Sequence, residues 1–110
     1  MGYIREQIDE LILPVVEILN NHGFKTFESC QGGKDHAFFE PTVRFEGNEF
    51  DLIRAYEICQ LYNLPVYEVR RVYRKTPVYK NDNTANVSQI GETWETPFNE
   101  ITFLPFISSP

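Results

Sequence analysis

The sequence predicts an α+β domain of two layers, in which two helices pack on one face of a four-stranded, mainly antiparallel sheet. Two segments have apolar residues at helical spacing, and four short segments are rich in β-branched and aromatic residues. The chain has 110 residues, of which 42% are hydrophobic, and this length suits a single domain over residues 1–110. Covering one face of one sheet with both helices is an economical way to form its core.

The two helices are predicted over residues 4–22 and from Asn48 to about Tyr62. The apolar positions of the first are Ile4, Ile8, Leu11, Val15, Ile18 and Leu19. Pro14 is expected to bend or divide this helix, because its ring clashes with the preceding turn. Asn48 is expected to cap the second helix. The side chains that we expect this helix to bury are Leu52, Ile53, Tyr56 and Cys59.

The four strands are predicted at residues 24–30, 41–45, 66–75 and 99–106. The third mixes charged with β-branched residues and is predicted to lie at an edge of the sheet. The last carries the apolar Ile101, Phe103 and Leu104, which indicate a central strand. Residues 77–93 are polar and rich in turn-forming residues, and they are interpreted as a long connection.

The resulting order of elements is α-β-β-α-β-β. A ferredoxin-like domain has the order βαββαβ, and moving its first strand to the C-terminus gives the order predicted for this chain. The sequence therefore predicts a permuted ferredoxin-like topology, in which the last strand lies in the middle of the sheet.

Charge and cysteine content narrow the classes of partner. The formal net charge is -6, which makes nucleic acid an unlikely partner, because neutralising phosphates requires clustered cations. Residues 66–80 are locally basic, with five basic residues and one acidic residue. This stretch can receive one anionic ligand, or it can pair with neighbouring carboxylates.

The chain has two cysteines, no secretory signal and no apolar run of membrane-spanning length. We therefore expect a cytoplasmic protein with reduced thiols and no membrane partner.

Residues 29–36 form the most concentrated candidate site. This segment has the sequence SCQGGKDH and combines a thiol, an amide, two glycines, a lysine, an acid and a histidine. Two adjacent glycines allow positive φ angles that turn backbone N–H groups towards a ligand. The residues predicted to bind an anionic or nucleotide-like ligand are Ser29, Gln31, Gly32, Gly33, Lys34, Asp35, Arg44 and Arg71.

Other interpretations of this segment remain open. Cys30 can act as a nucleophile with His36 as its base, which requires a base within reach of the thiol. A metal site would need Cys30, His36 and either Asp35 or Glu40, and no CxxC or HxxxH spacing supports it, so no metal is predicted. The ordinary alternative is a tight glycine turn with a buried structural cysteine and a surface histidine.

The segment GFKTFESCQGGKDHAFFEPTVRF resembles small uncharacterised proteins of bacteria and their phages. Those proteins have a strand ending in SCxGG, a following histidine and a strand similar to PTVRF. The resemblance extends to LPVYEVRRVYR and WETPFNEITF, so it covers most of the chain. It implies no established activity.

A second resemblance is to the tRNA wybutosine-synthesis methyltransferase family. It rests on the T-x-SC-x-G pattern of Thr26, Ser29, Cys30 and Gly32, and it covers about thirty residues. This resemblance implies methyl transfer to tRNA from S-adenosylmethionine. The family has an arginine at the position of Gly33 and a serine at that of Glu28.

The leading hypothesis is a small cytoplasmic domain that binds an anionic or nucleotide-like ligand at the loop from Cys30 to His36. The alternatives are a small enzyme, dependent on Cys30 and His36 or similar to the methyltransferases, and an interaction protein without a small-molecule site. The sequence does not identify a cofactor. A homo-oligomer is compatible with the sequence and would favour an enzyme, since 110 residues leave little room for a cofactor and a large substrate.

Overall fold

The computed structural model describes residues 11–33, 39–81 and 87–105. The helices of this part of the chain are α1 (Leu13–Asn21) and α2 (Glu49–Leu61). The strands are β1 (Thr26–Cys30), β2 (Thr42–Phe45), β3 (Val66–Val72), β4 (Lys75–Asn81), β5 (Val87–Trp94) and β6 (Phe98–Phe103).

Four of the strands form one antiparallel sheet in the order β1-β2-β6-β3. This is the order expected when the first strand of a ferredoxin-like domain is moved to the C-terminus, so the predicted fold class is confirmed. The predicted edge position of β3 and the central position of the last strand are confirmed as well.

The core lies between the two helices and one face of this sheet. Both helices and the two inner strands contribute to it: Ile12, Val15, Val16, Leu19, Phe24, Val43, Phe45, Leu52, Ala55, Cys59, Ile101 and Phe103. Asn48 caps α2 as predicted, because its side chain accepts from the Asp51 N–H at 3.0 Å. The Asp51 carboxylate accepts in turn from the Asn48 N–H, which completes a capping box.

The first helix and the buried side of the second are compared with their predictions in turn. That Pro14 bends or divides a helix over residues 4–22 stays a prediction, because it also concerns residues 4–10. The described part of the first helix begins at Leu13, so Pro14 lies in its first turn. Proline is tolerated there because the first turn has no intrahelical acceptor for its missing N–H. Residues 4–10 lie outside the described chain. Ile53 and Tyr56, predicted to be buried, are exposed, whereas Ala55 faces the core.

The predicted long connection over residues 77–93 is also wrong. Its two flanks form β4 and β5, which pair antiparallel from Lys75 opposite Trp94 to Asn81 opposite Val87. The β-forming residues of TPVYK and VSQI favour strands, although the asparagines between them indicated a loop. The predicted strand from Val66 to Lys75 is consequently divided between β3 and β4.

The central position of β6 leads to a stability prediction for Phe103, whose ring is fully buried in the core. Replacing Phe103 by alanine removes that packing and leaves a cavity, so the free energy of unfolding should fall by roughly 3–5 kcal/mol. Chemical denaturation measures this change. The matched control is Leu104→Ala, because the neighbouring Leu104 is half exposed and should cost little. Equal unfolding free energies for Phe103→Ala and wild type would contradict the packing.

Candidate functional site

The sheet face opposite to the helices, which we call the open face, carries a row of charged side chains. Residues directly opposite each other in antiparallel strands project to the same face. Glu28 lies opposite Arg44, Arg44 opposite Glu100, and Glu100 opposite Arg70. This charged row therefore crosses all four strands of the sheet.

Glu100 is the centre of the charged row and is almost completely buried, with 2% of its side chain exposed. Arg44 Nε donates to Glu100 Oε1 at 2.9 Å, and Arg70 Nε donates to Glu100 Oε2 at 2.7 Å. Arg70 Nη2 donates to Oε2 as well. Arg44 Nη1 reaches the other way and donates to Glu28 Oε1 at 2.8 Å. A buried carboxylate requires such partners, because an unpaired buried charge costs several kcal/mol.

These contacts shift the pKa values of both partners. Burial alone would raise the pKa of Glu100, but the hydrogen bonds from Arg70 and Arg44 outweigh it and hold that pKa below its ordinary value. The hydrogen bond to Glu100 raises the pKa of Arg70. The central carboxylate is therefore ionised at neutral pH and fixes both guanidinium groups.

A pocket of about 280 Å³ lies over one end of the charged row. Its lining consists of Phe39, Glu40, Thr42, Arg44, Tyr67, Glu68, Arg70, Glu100 and Thr102. Two aromatic residues of this lining, Phe39 and Tyr67, are 78% and 63% exposed. We call it the Phe39–Tyr67 pocket. Exposed rings beside arginine side chains can stack on a planar group while the arginines bind its anionic substituent.

A second and larger pocket, of about 480 Å³, lies at the other end of the open face. Phe98 forms its floor, with the Arg44 and Arg74 guanidinium carbons 5.1 and 5.4 Å from the centre of the ring. Phe27 packs edge-on against Phe98, with ring centres 5.4 Å apart. Arg44 lines both pockets, so it connects the two ends of the open face.

The glycine segment closes the loop that leads from β1 to β2. Gly32 and Gly33 have φ angles of 81° and 125°, which side-chain-bearing residues rarely adopt. The Gly32 N–H donates to Cys30 Sγ at 3.4 Å, and the Gly33 N–H donates to the Phe39 carbonyl at 2.9 Å. Both backbone N–H groups therefore donate within the loop, and the hydrogen bond from Gly33 holds Phe39 at the end of the sheet.

The residues predicted for the site, both ligand-binding and catalytic, lie on both sides of the sheet. Cys30 and Arg44 belong to the open face, since Cys30 lies opposite Thr42 and Arg44 opposite Glu100. Ser29 lies opposite the core residue Val43 and so projects towards the helices. The Gln31 side-chain oxygen accepts from the Leu11 N–H at 3.1 Å. Lys34, Asp35 and His36 lie outside the described residues.

Arg71 lies on the helix side of the sheet, away from Arg44. It donates through Nη1 to Asn99 Oδ1 at 2.9 Å and to the Gly47 carbonyl. Asn99 Nδ2 in turn donates to the Asn48 carbonyl at 3.0 Å. These bonds join β3 and β6 to the start of α2, so Arg71 has a structural role in this arrangement.

Both cysteines are free and buried. Cys59 lies in the core, and burial raises the pKa of its thiol to about 11. Cys30 is 4% exposed, so its sulfur is not accessible to a substrate in this arrangement. Within residues 11–33, 39–81 and 87–105, no group of three His, Cys, Asp or Glu residues is placed to hold a metal ion. Asp35 and His36, two of the ligands considered for a metal, lie outside those ranges.

Glu100, Arg70 and Tyr67, at the centre of the open face, were not predicted as site residues from the sequence. One signal was present: in β6, Glu100 and Thr102 alternate with Ile101 and Phe103. Alternation in a central strand indicates one buried and one polar face. A carboxylate in such a strand then requires cationic partners on its neighbours.

Comparisons with protein-family models, with curated proteins and with solved structures found no match to this chain. The two resemblances that rest on the SCxGG, PTVRF and T-x-SC-x-G motifs therefore stay predictions. Along the described part of the chain, neither helix has the length and apolar character needed to cross a membrane.

The packing of Gly32 predicts that it cannot be replaced by alanine. An added Cβ would lie 2.6 Å from the Pro41 nitrogen and 2.9 Å from the Phe39 carbonyl oxygen, both backbone atoms. Together with the positive φ, this should reduce stability by roughly 1–3 kcal/mol and expose Cys30 to alkylation. Gly91→Ala is the control, since nothing lies within 4 Å of its added Cβ. Alkylation of Cys30 in Gly32→Ala at the wild-type rate would contradict this packing.

The lowered pKa of Glu100 predicts a loss of stability in acid. Because its pKa is lower in the folded than in the unfolded chain, the unfolded state takes up the proton first as pH falls. The stabilisation is complete above the ordinary value of 4.5 and is lost as pH falls through the folded pKa. Glu100→Gln should lower stability by about 3 kcal/mol at pH 7 and flatten its dependence on pH below 5.

Urea unfolding between pH 3 and pH 7 measures both effects. Glu68→Gln is the matched control, because Glu68 is half exposed and its carboxylate is 3.8 Å from Arg70 Nε. Glu68→Gln should lower the free energy of unfolding by less than about 1 kcal/mol. A wild-type pH profile in Glu100→Gln would show that the carboxylate is not held by the arginines.

Proposed function

We propose that this protein is a binding domain for a small, nucleotide-like anion, and that the ligand lies in the Phe39–Tyr67 pocket of the open face. The observation that carries the proposal is the combination, in one pocket, of two exposed aromatic rings and two arginines that a buried carboxylate orients. Side chains held in place before binding lose little further freedom when the ligand arrives, which favours affinity.

Arg70 is the side chain best placed to meet an anionic group. Its guanidinium carries five N–H donors, and Glu100 accepts from Nε and Nη2. The Arg70 side chain is 55% exposed even though it makes these bonds. The proposal assigns the remaining donors to the ligand, and it assigns Phe39 and Tyr67 to stacking on the ligand's ring.

The charges around the pocket limit the ligand further. Arg44 and Arg70 face three carboxylates in the lining, those of Glu40, Glu68 and Glu100. Two arginines against three carboxylates give the lining a formal charge of -1, which disfavours a ligand with several negative charges. The proposal therefore relies on the N–H donors of Arg70 that Glu100 does not use to bind a single anionic group. The volume of about 280 Å³ lies near the lower end of ordinary ligand sites. A cyclic mononucleotide, which carries one negative charge, is therefore the most suitable probe.

Residues 30–33, the described start of the predicted ligand-binding loop, adjoin this site in the proposal. The Gly33 N–H donates to the Phe39 carbonyl, and this bond brings Phe39 and Glu40 to the pocket. An enzyme that uses Cys30 as nucleophile has less support, because the described thiol is 4% exposed. Its partner in that hypothesis, His36, lies outside the described residues.

The proposal also covers the setting of the protein. Two free thiols suit a reducing compartment such as the cytoplasm. The net charge of -6 makes a small anionic ligand a better partner than a nucleic acid. The proposal includes a homo-oligomer, which forms whether or not the ligand is bound.

The ligand proposal is tested by titrating ¹⁵N-labelled protein with cyclic adenosine monophosphate, adenosine and ATP while recording amide NMR spectra. We expect cyclic adenosine monophosphate to bind most tightly, because adenosine lacks the anionic group and ATP carries several charges. The amide shifts should fall at residues 39–44, 67–70 and 100–102. Tyr67→Ala removes one stacking ring and should weaken binding by roughly 5- to 100-fold.

The matched control is Tyr62→Ala, which removes a similarly exposed tyrosine at the end of α2. Binding to this variant should equal binding to wild type. The proposal would be overturned if millimolar concentrations of all three compounds left the amides of the open face unchanged, or if Tyr62→Ala and Tyr67→Ala weakened binding equally.

A further inference from the structure

The β4–β5 hairpin continues the β3–β6 pair along the strand direction, beyond the ends of these two strands. Val72 lies opposite Phe98 and Lys75 opposite Trp94, and the Glu95 N–H donates to the Arg74 carbonyl between these two pairs. All described side chains of residues 73–80 and 88–96 are exposed. A two-stranded hairpin without a packing partner is marginally stable in water. This arm therefore needs a surface to pack on.

The hairpin has one face that is richer in large apolar side chains. Strand pairing places Pro77, Tyr79 and Trp94 on the same side as Lys75, whose Nζ lies 4.8 Å from the Trp94 ring centre. Gln89 and Glu92 lie on this side as well, and Lys75 forms an ion pair with Glu92 at 3.2 Å. Tyr79 and Trp94 are each more than half exposed. The other side carries mainly small and polar residues: Thr76, Val78, Lys80, Ser88 and Thr93.

A second surface with exposed apolar side chains runs along the outside of α2. Phe50, Ile53 and Leu61 recur at spacings that place them on one side of a helix, and each is more than half exposed. Arg54 and Glu57 lie between them on the same side, so this surface is apolar with charged residues at its middle. Leu52, Ala55 and Cys59 form the opposite, buried side. This outer stripe explains why the prediction that Ile53 is buried was wrong: α2 has apolar residues on two faces.

We propose that these two surfaces bind each other between two copies of the chain, so that the hairpin of each copy packs on the outer stripe of α2 of the other. Both surfaces start at the same end of the molecule. Arg71, at the base of the hairpin, donates to the Gly47 carbonyl, and Asn99 donates to the Asn48 carbonyl just before α2. Two copies that meet at this end, related by a twofold axis, direct each hairpin along the partner's α2.

The dimensions of the two surfaces agree. β5 has eight residues and is therefore roughly 25 Å long, at about 3.3 Å per residue. The stripe from Phe50 to Leu61 is roughly 17 Å long, at about 1.5 Å per residue. The hairpin can therefore cover the full length of the stripe.

The buried area favours a second copy as the occupant. A hairpin face roughly 25 Å long and about 10 Å wide offers about 250 Å², so one contact buries about 500 Å² counting both sides. A specific interface requires about 1,000 Å² or more, which two reciprocal contacts reach and a single contact does not. A twofold dimer supplies two contacts by symmetry.

The distribution of charge is compatible with this arrangement. The net charge of the chain is -6, so two bodies repel each other. Residues 74–95, which include the hairpin, contain three basic and three acidic residues and have no net charge. A neutral arm can approach the acidic body of a second copy without that repulsion.

The proposal is tested by measuring the mass in solution with light scattering across a range of concentrations. The chain has a mass of 12.9 kDa, and we expect the dimer mass, twice that value. Tyr79→Lys in the hairpin and Leu61→Lys on α2 should each raise the dimer dissociation constant about tenfold or more. Both positions are exposed, and unchanged circular dichroism would show that the variants fold. Thr93→Lys, on the other side of the hairpin, is the control and should leave the dimer intact.

A cross-linking experiment identifies the surfaces that meet. Chains with Tyr79→Cys are mixed with chains carrying Leu61→Cys under mild oxidation, and we expect a disulfide between the two different chains. A 12.9 kDa monomer at every concentration would overturn the proposal. A dimer that tolerates Tyr79→Lys and Leu61→Lys would also overturn it, as would Tyr79→Cys chains that cross-link with each other and not with Leu61→Cys chains.

Discussion

The interaction on which the open face depends is the one between the Glu100 carboxylate and two arginines. Glu100 lies in the central strand β6, where its burial would be unfavourable without cationic partners. Arg44 comes from β2 and Arg70 from β3, so one carboxylate connects three adjacent strands. The same bonds determine the directions of both guanidinium groups. The hydrogen bonds of Glu100 therefore both stabilise the sheet and determine the geometry of the candidate site.

The loop between β1 and β2 meets the open face of the sheet at the Phe39–Tyr67 pocket. The loop closes through hydrogen bonds of Gly32 and Gly33, which hold Phe39 beside the open face. Tyr67 reaches the same pocket from the edge strand β3. The pocket thus combines Phe39, held by the backbone of Gly33, with side chains fixed by Glu100. The proposed binding of a planar, singly charged ligand rests on that combination, whereas the proposed packing of the hairpin concerns a different surface.

Local signals predicted much of the fold. Asn48 and the acidic residues after it indicated the start of α2, and the apolar run around Phe103 indicated a central strand. The hairpin was missed because asparagine-rich polar sequence is typical of both loops and exposed strands. Of the residues predicted for a site, Arg44 lies in the lining of the Phe39–Tyr67 pocket, whereas Cys30 is not part of that lining. Arg70 could not be chosen over its neighbour Arg71, since their placement on opposite faces depends on the register with β6.

The ionisation of Glu100 can be measured directly, by following the chemical shift of its side-chain carboxyl carbon in a ¹³C NMR titration of the folded protein. If Arg44 and Arg70 hold the carboxylate, the midpoint will lie below the ordinary glutamate value of 4.5. A midpoint at or above that value would show that burial outweighs the arginines. The open face would then lack the fixed charges on which ligand binding depends.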